Sequence, residues 1–363
     1  MRVGIIGLPL SGKTTLFNAL TGAAVEVGSW SGGKREAHIG VVKVPDERLD
    51  FLHTHFPTAK KIPAVIEYVD LAGFEKGISE STKTLSELLN DLKNVDALVS
   101  VIRAFENESV PHPEGSVDPW RDYQNLETEF ILSDMAILEN RITRLENQLR
   151  KKKNDREQKE LELLKRCMSV LESEQPLRSL DFSAEEAKIL RGYQFLTEKP
   201  QIVVLNINES DIGKEEQILQ PFLEMQASPR TAFVALSAEI EMEISQLNLE
   251  DAEIFLEDLG LRAPALERLI QTTYNLLGLI SFFTIGDDEV RAWTIRQNTK
   301  APQAAGAVHS DMERGFIRAE VVAYDAYKAH GSLARCKDAG VLRLEGKEYV
   351  VQDGDIISFR FNV

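Results

Sequence analysis

Residues 7–14 read Gly7-Leu8-Pro9-Leu10-Ser11-Gly12-Lys13-Thr14. Gly7 and Gly12 let a loop turn its backbone N–H groups inward around a phosphate, Lys13 can reach the outer oxygens of a polyphosphate, and the Thr14 hydroxyl can ligate Mg²⁺. The loop follows the apolar run Val3-Gly4-Ile5-Ile6 and precedes an apolar helical pattern, Thr14 to Leu20. That strand-loop-helix setting adds the positive end of a helix dipole to the cradle. A phosphate site with Gly7, Gly12, Lys13 and Thr14 as its core is the expectation.

Working outward, short apolar strands alternate with helical patterns: Val3 to Ile6, Ala64 to Asp70 and Ala97 to Ile102, with helices over Thr14 to Leu20 and Leu85 to Leu92. Such alternation predicts a mostly parallel sheet covered on both faces. The stretch Val69-Asp70-Leu71-Ala72-Gly73 ends one of these strands, so Asp70 is the expected carboxylate of a magnesium shell and Gly73 the N–H that meets a γ-phosphate. The pattern then breaks. Between Asn125 and Glu174, Leu138, Ile142, Leu145 and Leu149 recur at four-three-four spacing, and Leu164, Cys167 or Met168 and Leu171 repeat it, which predicts an antiparallel helical hairpin. Its midpoint, Arg150-Lys151-Lys152-Lys153-Asn154-Asp155-Arg156, is basic and suits an exposed tip. Strands resume at Gln201 to Leu205 and Thr231 to Leu236, so the hairpin is an insertion. Beyond Leu277, Ser281 to Ile285, Ala292 to Ile295, Ile317 to Val322 and Ile356 to Phe361 read as strands of a separate small unit.

A base-reading loop belongs after a later strand, where Asn206-Ile207-Asn208-Glu209 stands. Guanine-specific proteins carry Asn-Lys-x-Asp there, with the Asp accepting from guanine. Ile207 and the longer Glu209 damage that clamp and favour ATP, or a relaxed choice of base, over GTP. Ser237, closing the strand Thr231 to Leu236, stands where a final base-side loop is expected.

The 363 residues suit two or three domains, with 43% hydrophobic and 28% charged residues, the balance of a folded soluble chain. A formal charge of −16 speaks against a protein that grips nucleic acid with its whole surface, and DNA is not an expected partner. From Leu279 onward the chain holds 11 Lys and Arg against 12 Asp and Glu, so its tail repels RNA least. No apolar run is long enough to span a bilayer and no signal-peptide pattern opens the chain, which predicts a cytoplasmic protein without a membrane partner. The two cysteines, Cys167 and Cys336, and the six histidines form no disulfide or metal-site spacing.

With these motifs in hand, the chain resembles the Obg-like ATPase (YchF) family, a branch of the TRAFAC-class P-loop proteins, from end to end. The resemblance is carried further by Val117-Asp118-Pro119, by Phe195-Leu196-Thr197-Glu198-Lys199-Pro200 and by the C-terminal Arg291-Ala292-Trp293-Thr294-Ile295, Thr299-Lys300-Ala301-Pro302-Gln303-Ala304-Ala305-Gly306, Glu313 to Val321 and Gln352-Asp353-Gly354-Asp355. It implies an α/β P-loop G domain over residues 1–122 and 195–277, a coiled-coil hairpin over 123–194, and a small β-grasp-like TGS domain over 278–363. It also implies slow ATP hydrolysis with Mg²⁺ and association with the ribosome or ribosomal RNA through the hairpin and TGS domain. Carried over, the phosphate loop is Leu10, Ser11, Gly12, Lys13, Thr14 and Thr15, the metal ligands are Thr14 and Asp70, and the base loop is Asn206, Ile207, Asn208 and Glu209. The chain departs from the family at Leu10, where Asn is usual, and at Lys34, which stands where the switch threonine belongs; no Thr lies between Gly22 and Leu52. Phe74 follows Gly73 where the family has an aliphatic residue, so no glutamine stands there to orient water, and Glu80-Ser81-Thr82-Lys83-Thr84 replaces a glycine run.

Overall fold

A computed structural model describes residues 1–23, 38–70, 92–225 and 228–362. In chain order its strands and first helices are β1 (Arg2–Ile6), α1 (Lys13–Thr21), β2 (His38–Lys43), α2 (Glu47–Thr54), β3 (Lys60–Ile62), β4 (Val65–Asp70), β5 (Ala97–Ala104), β6 (Gln201–Ile207), β7 (Thr231–Leu236), β8 (Leu279–Ile285), β9 (Glu289–Arg296), β10 (Phe316–Ala323), β11 (Arg343–Glu345) and β12 (Asp355–Phe361). Contacts divide the chain into two units, Met1–Gly40 with Glu67–Arg268, and Val41–Ile66 with Leu269–Val363. The expected helix Leu85 to Leu92 lies, but for its last residue, outside the described residues.

The first unit is built on a six-stranded sheet in the order β2-β4-β1-β5-β6-β7. β4, β1, β5, β6 and β7 run parallel, as strand-helix alternation demands. Every residue of β6 and all but the last of β5 are buried, which explains their near-continuous apolar runs. Of the polar exceptions, Gln201 Nε2 donates to Ser100 Oγ at 2.9 Å. One face of the sheet packs Ile6, Leu98, Ile102, Val203 and Leu205 against Leu126, Phe130 and Phe222. On the other, α1 packs beside the helix Ala238–Gln246.

The hairpin consists of helices Pro119–Lys151 and Asp155–Glu172. The first begins before its apolar repeat does, because Asp118 accepts from Arg121 N at 3.0 Å and Pro119 occupies the opening position, whose N–H needs no partner. Leu138, Leu145, Leu164, Cys167 and Leu171 form its buried seam, each leucine worth about 2 kcal/mol. Lys152 to Asn154 turn in solvent, and Asn154 caps the returning helix through Arg156 N at 3.1 Å. At the other end Asp134, with no exposed surface, accepts from Leu196 N at 3.0 Å and from Thr197 N and Oγ1 at 2.8 and 2.7 Å. Burial pushes this carboxyl up to about 6 while the three donors and Arg178 pull it back. Nearby, Arg178 pairs with Glu127 at 2.6 Å and donates to Lys199 O at 3.0 Å. The motif Phe195 to Pro200 thus anchors the hairpin to the sheet.

The second unit carries a mixed sheet in the order β11-β10-β12-β8-β9-β3. β10 is antiparallel to β11 and β12, β12 parallel to β8, and β8 antiparallel to β9. The helix Ala301–Val308 lies against it through Ala301, Ala304 and Ala305, none with exposed surface, over Phe282, Phe316 and Ile357. The small residues of the stretch Thr299 to Gly306 therefore set how closely this helix approaches the sheet. Trp293 packs at the edge of this core, its Nε1 donating to Thr284 Oγ1 at 2.9 Å, with Arg291 3.9 Å above its ring. The sequence carries the first domain to residue 122 without a break; the contacts instead place Val41–Ile66 with the C-terminal residues, where β3 pairs parallel to β9. Three residues, two of them lysine, present no alternation from which that strand could be read.

Replacing Asp134 with alanine leaves three buried donors unmet, and unfolding in urea at pH 7 is expected to show a loss of about 3 kcal/mol. Thr197→Val, which removes one donor with its acceptor bond, is expected to cost less than half as much.

Candidate functional site

The loop between β1 and α1 is held by its neighbours rather than by its own side chains. A Cβ on Gly7 would lie 2.2 Å from Val101 O of β5, so the loop leaves the sheet with no room for any side chain. Gly12 has φ 92°, and a Cβ there would lie 2.2 Å from Asn206 Nδ2. Glycine is required at both places, once by a neighbouring strand and once by conformation and a neighbouring amide together.

Asn206 occupies the end of β6, opposite Arg103 of β5. Its Nδ2 donates to Ser11 O at 2.9 Å and its Oδ1 accepts from Ala238 N at 2.9 Å. One buried amide therefore joins the phosphate loop to the turn after β7. Both of its ends are engaged with backbone, so Asn206 positions the loop. Ile207 packs into the sheet core with 2% of its surface exposed. Asn208 and Glu209 are exposed, and Asn208 Oδ1 accepts from Glu209 N at 3.0 Å. Ser237 is buried just before the helix Ala238–Gln246 and makes no side-chain cap.

Lys13 opens α1 and Gly12 caps it without a side chain, which leaves the first-turn N–H groups, Thr14 and Thr15 among them, facing out of the helix. Its Nζ donates to Leu8 O at 2.7 Å, and burial draws the amine down to about 8, with Asp70 pulling it back. Thr14 Oγ1 donates to Asp70 Oδ2 at 3.1 Å. Asp70 is buried at the end of β4; burial holds its carboxyl above the usual range, opposed by Thr14, Lys13 and His38. The two residues expected to ligate metal, 56 positions apart, are thus brought into contact, with the lysine beside them. A threonine hydroxyl and a carboxylate are hard oxygen donors of the kind Mg²⁺ takes alongside phosphate oxygens and water. Gly73, Lys34, Phe74 and the run Glu80 to Thr84 lie outside the described residues.

Two features escape a reading by motif. Among the described residues Ser11 Oγ is buried without a hydrogen-bond partner, so the loop holds a polar atom that they leave unmet. Leu10 has φ 63° with 47% of its surface exposed, a left-handed backbone that leucine adopts at a cost of about 1–2 kcal/mol. Asparagine, usual at this place in the resembled family, tolerates that conformation, and this is the physical sense of the departure.

Comparison with known proteins covers the whole chain. Residues 2–127 match a family described as 50S ribosome-binding GTPase, and residues 279–362 match YchF-GTPase_C, described as a protein of unknown function. Ribosome-binding ATPase YchF of Bacillus subtilis (strain 168) is 42% identical, with all of both chains covered. Obg-like ATPase 1 of Homo sapiens is 36% identical over all of this chain and 92% of its own. A solved structure, the Schizosaccharomyces pombe YchF GTPase, superposes with a TM-score of 0.85 at 31% identity, covering 99% of this chain and 97% of that one.

The strain at Leu10 is directly measurable. Leu10→Asn is expected to raise the unfolding free energy of the nucleotide-free protein by about 1 kcal/mol, since it relaxes the backbone and gives up little buried surface. An unchanged urea midpoint would show that the loop bears no strain there.

Proposed function

The chain belongs to the YchF, or Obg-like ATPase, family, and on that footing we propose that it binds ATP with Mg²⁺ at the loop Gly7 to Thr15, hydrolyses it slowly, and associates with ribosomes. The contact between Thr14 Oγ1 and Asp70 Oδ2 at the mouth of α1 carries this reading. In it, the N–H groups of the loop and of the first turn of α1 hold the β-phosphate, and Lys13 meets the β and γ oxygens. Thr14 would ligate the magnesium, with Asp70 completing the same shell from the end of β4. The ion, when bound, neutralises charge developing on the β and γ oxygens. Gly73 would add its N–H to the γ-phosphate. Ser11 Oγ, buried and unmet, has a donor to offer an incoming phosphate.

Preference for adenine rests on the base loop. Ile207 is committed to the core and leaves no side chain to lie along the base as lysine does in guanine-specific proteins. Asn208 and Glu209 remain exposed at the strand end, and Ser237 lines the adjacent turn. Slow turnover is supported by the chain's own residues: Lys34 in place of the switch threonine removes one magnesium-side hydroxyl, and with Phe74 after Gly73 no amide stands there to orient water. The same departures support a second reading, a nucleotide-gated binding protein without turnover.

For the ribosome, the exposed basic tip Arg150 to Lys153 with Arg156 and the nearly neutral C-terminal unit are the surfaces least repelled by RNA. We assign the hairpin and the TGS domain as the ribosome-facing parts and residues 1–122 with 195–277, apart from the segment 41–66 that packs with the C-terminal residues, as the nucleotide domain. Among the described residues no helix is long and apolar enough to cross a membrane.

ATP and GTP binding and turnover, with and without ribosomes, test both readings. Wild type is expected to bind Mg²⁺-ATP more tightly than Mg²⁺-GTP and to turn ATP over; Lys13→Ala is expected to weaken binding about 10- to 100-fold, the worth of a charge-assisted contact. Tight binding without turnover under either condition selects the second reading, and no binding at all ends both. Removing magnesium with EDTA is expected to weaken ATP binding in wild type and to change it far less in Thr14→Ala, read by isothermal calorimetry.

A further inference from the structure

From Ala238 to Leu261 the chain has eight acidic residues and no Lys or Arg. One of the eight, Glu241, is buried and accepts from Ala265 N at 2.7 Å and Leu266 N at 3.2 Å, so it serves the fold. The others are exposed, and most of them stand on the helix Leu249–Asp258 of the first unit. That helix is held in place. Asn248 caps it, accepting from Asp251 N at 3.0 Å and donating to Asp251 Oδ2 at 2.7 Å, and Leu261 N closes its far end on Leu256 O at 2.8 Å. Ala252, Phe255 and Leu256 are half-buried and fall on one side of it, as the helical period requires.

The opposite side combines two features that the fold does not use. Ile254 has 60% of its surface exposed and Leu249 85%. Glu250, Asp251, Glu257 and Asp258 stand three or four residues from Ile254, so four carboxylates neighbour the isoleucine on the helix surface. The charge works against the helix that carries it. Glu253 and Glu257 are like charges four residues apart, and Glu257 and Asp258 lie at the negative end of the helix dipole with no basic residue in the last turn. Both the exposed apolar surface and the repulsion are relieved against a surface that is positive and has an apolar recess.

That requirement selects the occupant. RNA and anionic lipid are repelled by the same carboxylates. A second copy of the chain offers cations at the hairpin tip, Arg150 to Lys153 with Arg156, but the tip has no apolar side chain for Ile254 to meet. We propose that the helix Leu249–Asp258 is a docking surface for a Lys- and Arg-rich segment of another protein that also carries apolar side chains. Ile254 and Leu249 enter that segment, and the carboxylates around them pair with its cations, an apolar centre inside a charged rim. The proposal stands on this helix alone and is independent of the nucleotide reading.

The test uses the full-length protein and a short labelled synthetic peptide of Lys and Leu at helical spacing, read by fluorescence anisotropy, beside the same peptide with Ser in place of Leu and a labelled oligouridylate. Wild type is expected to bind the Lys-Leu peptide about tenfold tighter than the Lys-Ser peptide, the worth of one buried aliphatic side chain. Leu249→Ser with Ile254→Ser is expected to bring that ratio to near one without changing thermal unfolding. Glu250→Gln with Glu253→Gln and Glu257→Gln is expected to weaken both peptides about fivefold. Glu172→Gln with Glu216→Gln and Glu224→Gln removes the same charge from exposed positions elsewhere and is expected to weaken them less than about twofold. The two charge variants decide the matter should the serine variant fail to fold. A wild type that binds neither peptide, a tenfold ratio that survives in the folded serine variant, or equal losses in the two charge variants overturns the proposal. So does oligouridylate binding that falls in the serine variant, which assigns the helix to nucleic acid, or a wild-type dimer in sedimentation that the serine variant dissociates, which assigns it to a second copy.

Discussion

One carboxamide organises the nucleotide end of this protein. Asn206 has a single donor group and a single acceptor group turned toward backbone, and it uses both at 2.9 Å to hold Ser11 of the phosphate loop and Ala238 of the turn after β7. The amide is buried, so either bond left unmade would cost a desolvated polar group about 1–3 kcal/mol. The demand propagates: Nδ2 stands where a side chain on residue 12 would be, so residue 12 is glycine, and that glycine frees the chain to enter α1 with its N–H groups presented. The parallel sheet supplies the rest by placing the ends of β1, β4 and β6 side by side or nearly so.

Around that fixed point the chain separates rigidity from reach. The hairpin extends from a base in which Asp134, Arg178 and Glu127 are buried and hydrogen-bonded, and ends in a turn of consecutive exposed cations. Its seam is leucine with Cys167 among them, burial pushing that thiol up to about 11, so the cysteine serves as packing. The C-terminal unit reaches density by a different route, a helix of alanines laid on a mixed sheet. Each part is consolidated locally.

Much of this was legible in the residues. The phosphate loop, Asp70, the alternation of the first sheet and the leucine spacing of the hairpin all announce themselves because each has a period or a spacing fixed by geometry. What could not be read has a common cause. β3 and β11 are three residues long, and β3 takes its partner from far along the chain, so no local pattern reports them. Likewise, Asn206 is visible as a polar residue at a strand end, but that both of its amide groups face backbone depends on atoms 195 and 32 residues away. The strain at Leu10 is the reverse case, a local fact that a substitution pattern hints at and only the dihedral angle explains. For the site residues, the loop and Asp70 come together as their types predict, whereas Ile207 belongs to the core.

The pairing of β3 with β9 also bears on how the chain is made. Synthesis is vectorial, and residues 41–66 leave the peptide tunnel long before the strand that receives them exists. Arg48 waits through 305 further residues for Asp353. At roughly 5–20 residues per second this is about 15–60 s during which Arg48 lacks its distant partner. Strands β5 and β6, which flank the hairpin in sequence, can find each other in the meantime, so the nucleotide sheet begins to form around a loop that is still unfolded. A chain cut short before Gln352 would lack the aspartate that Arg48 meets.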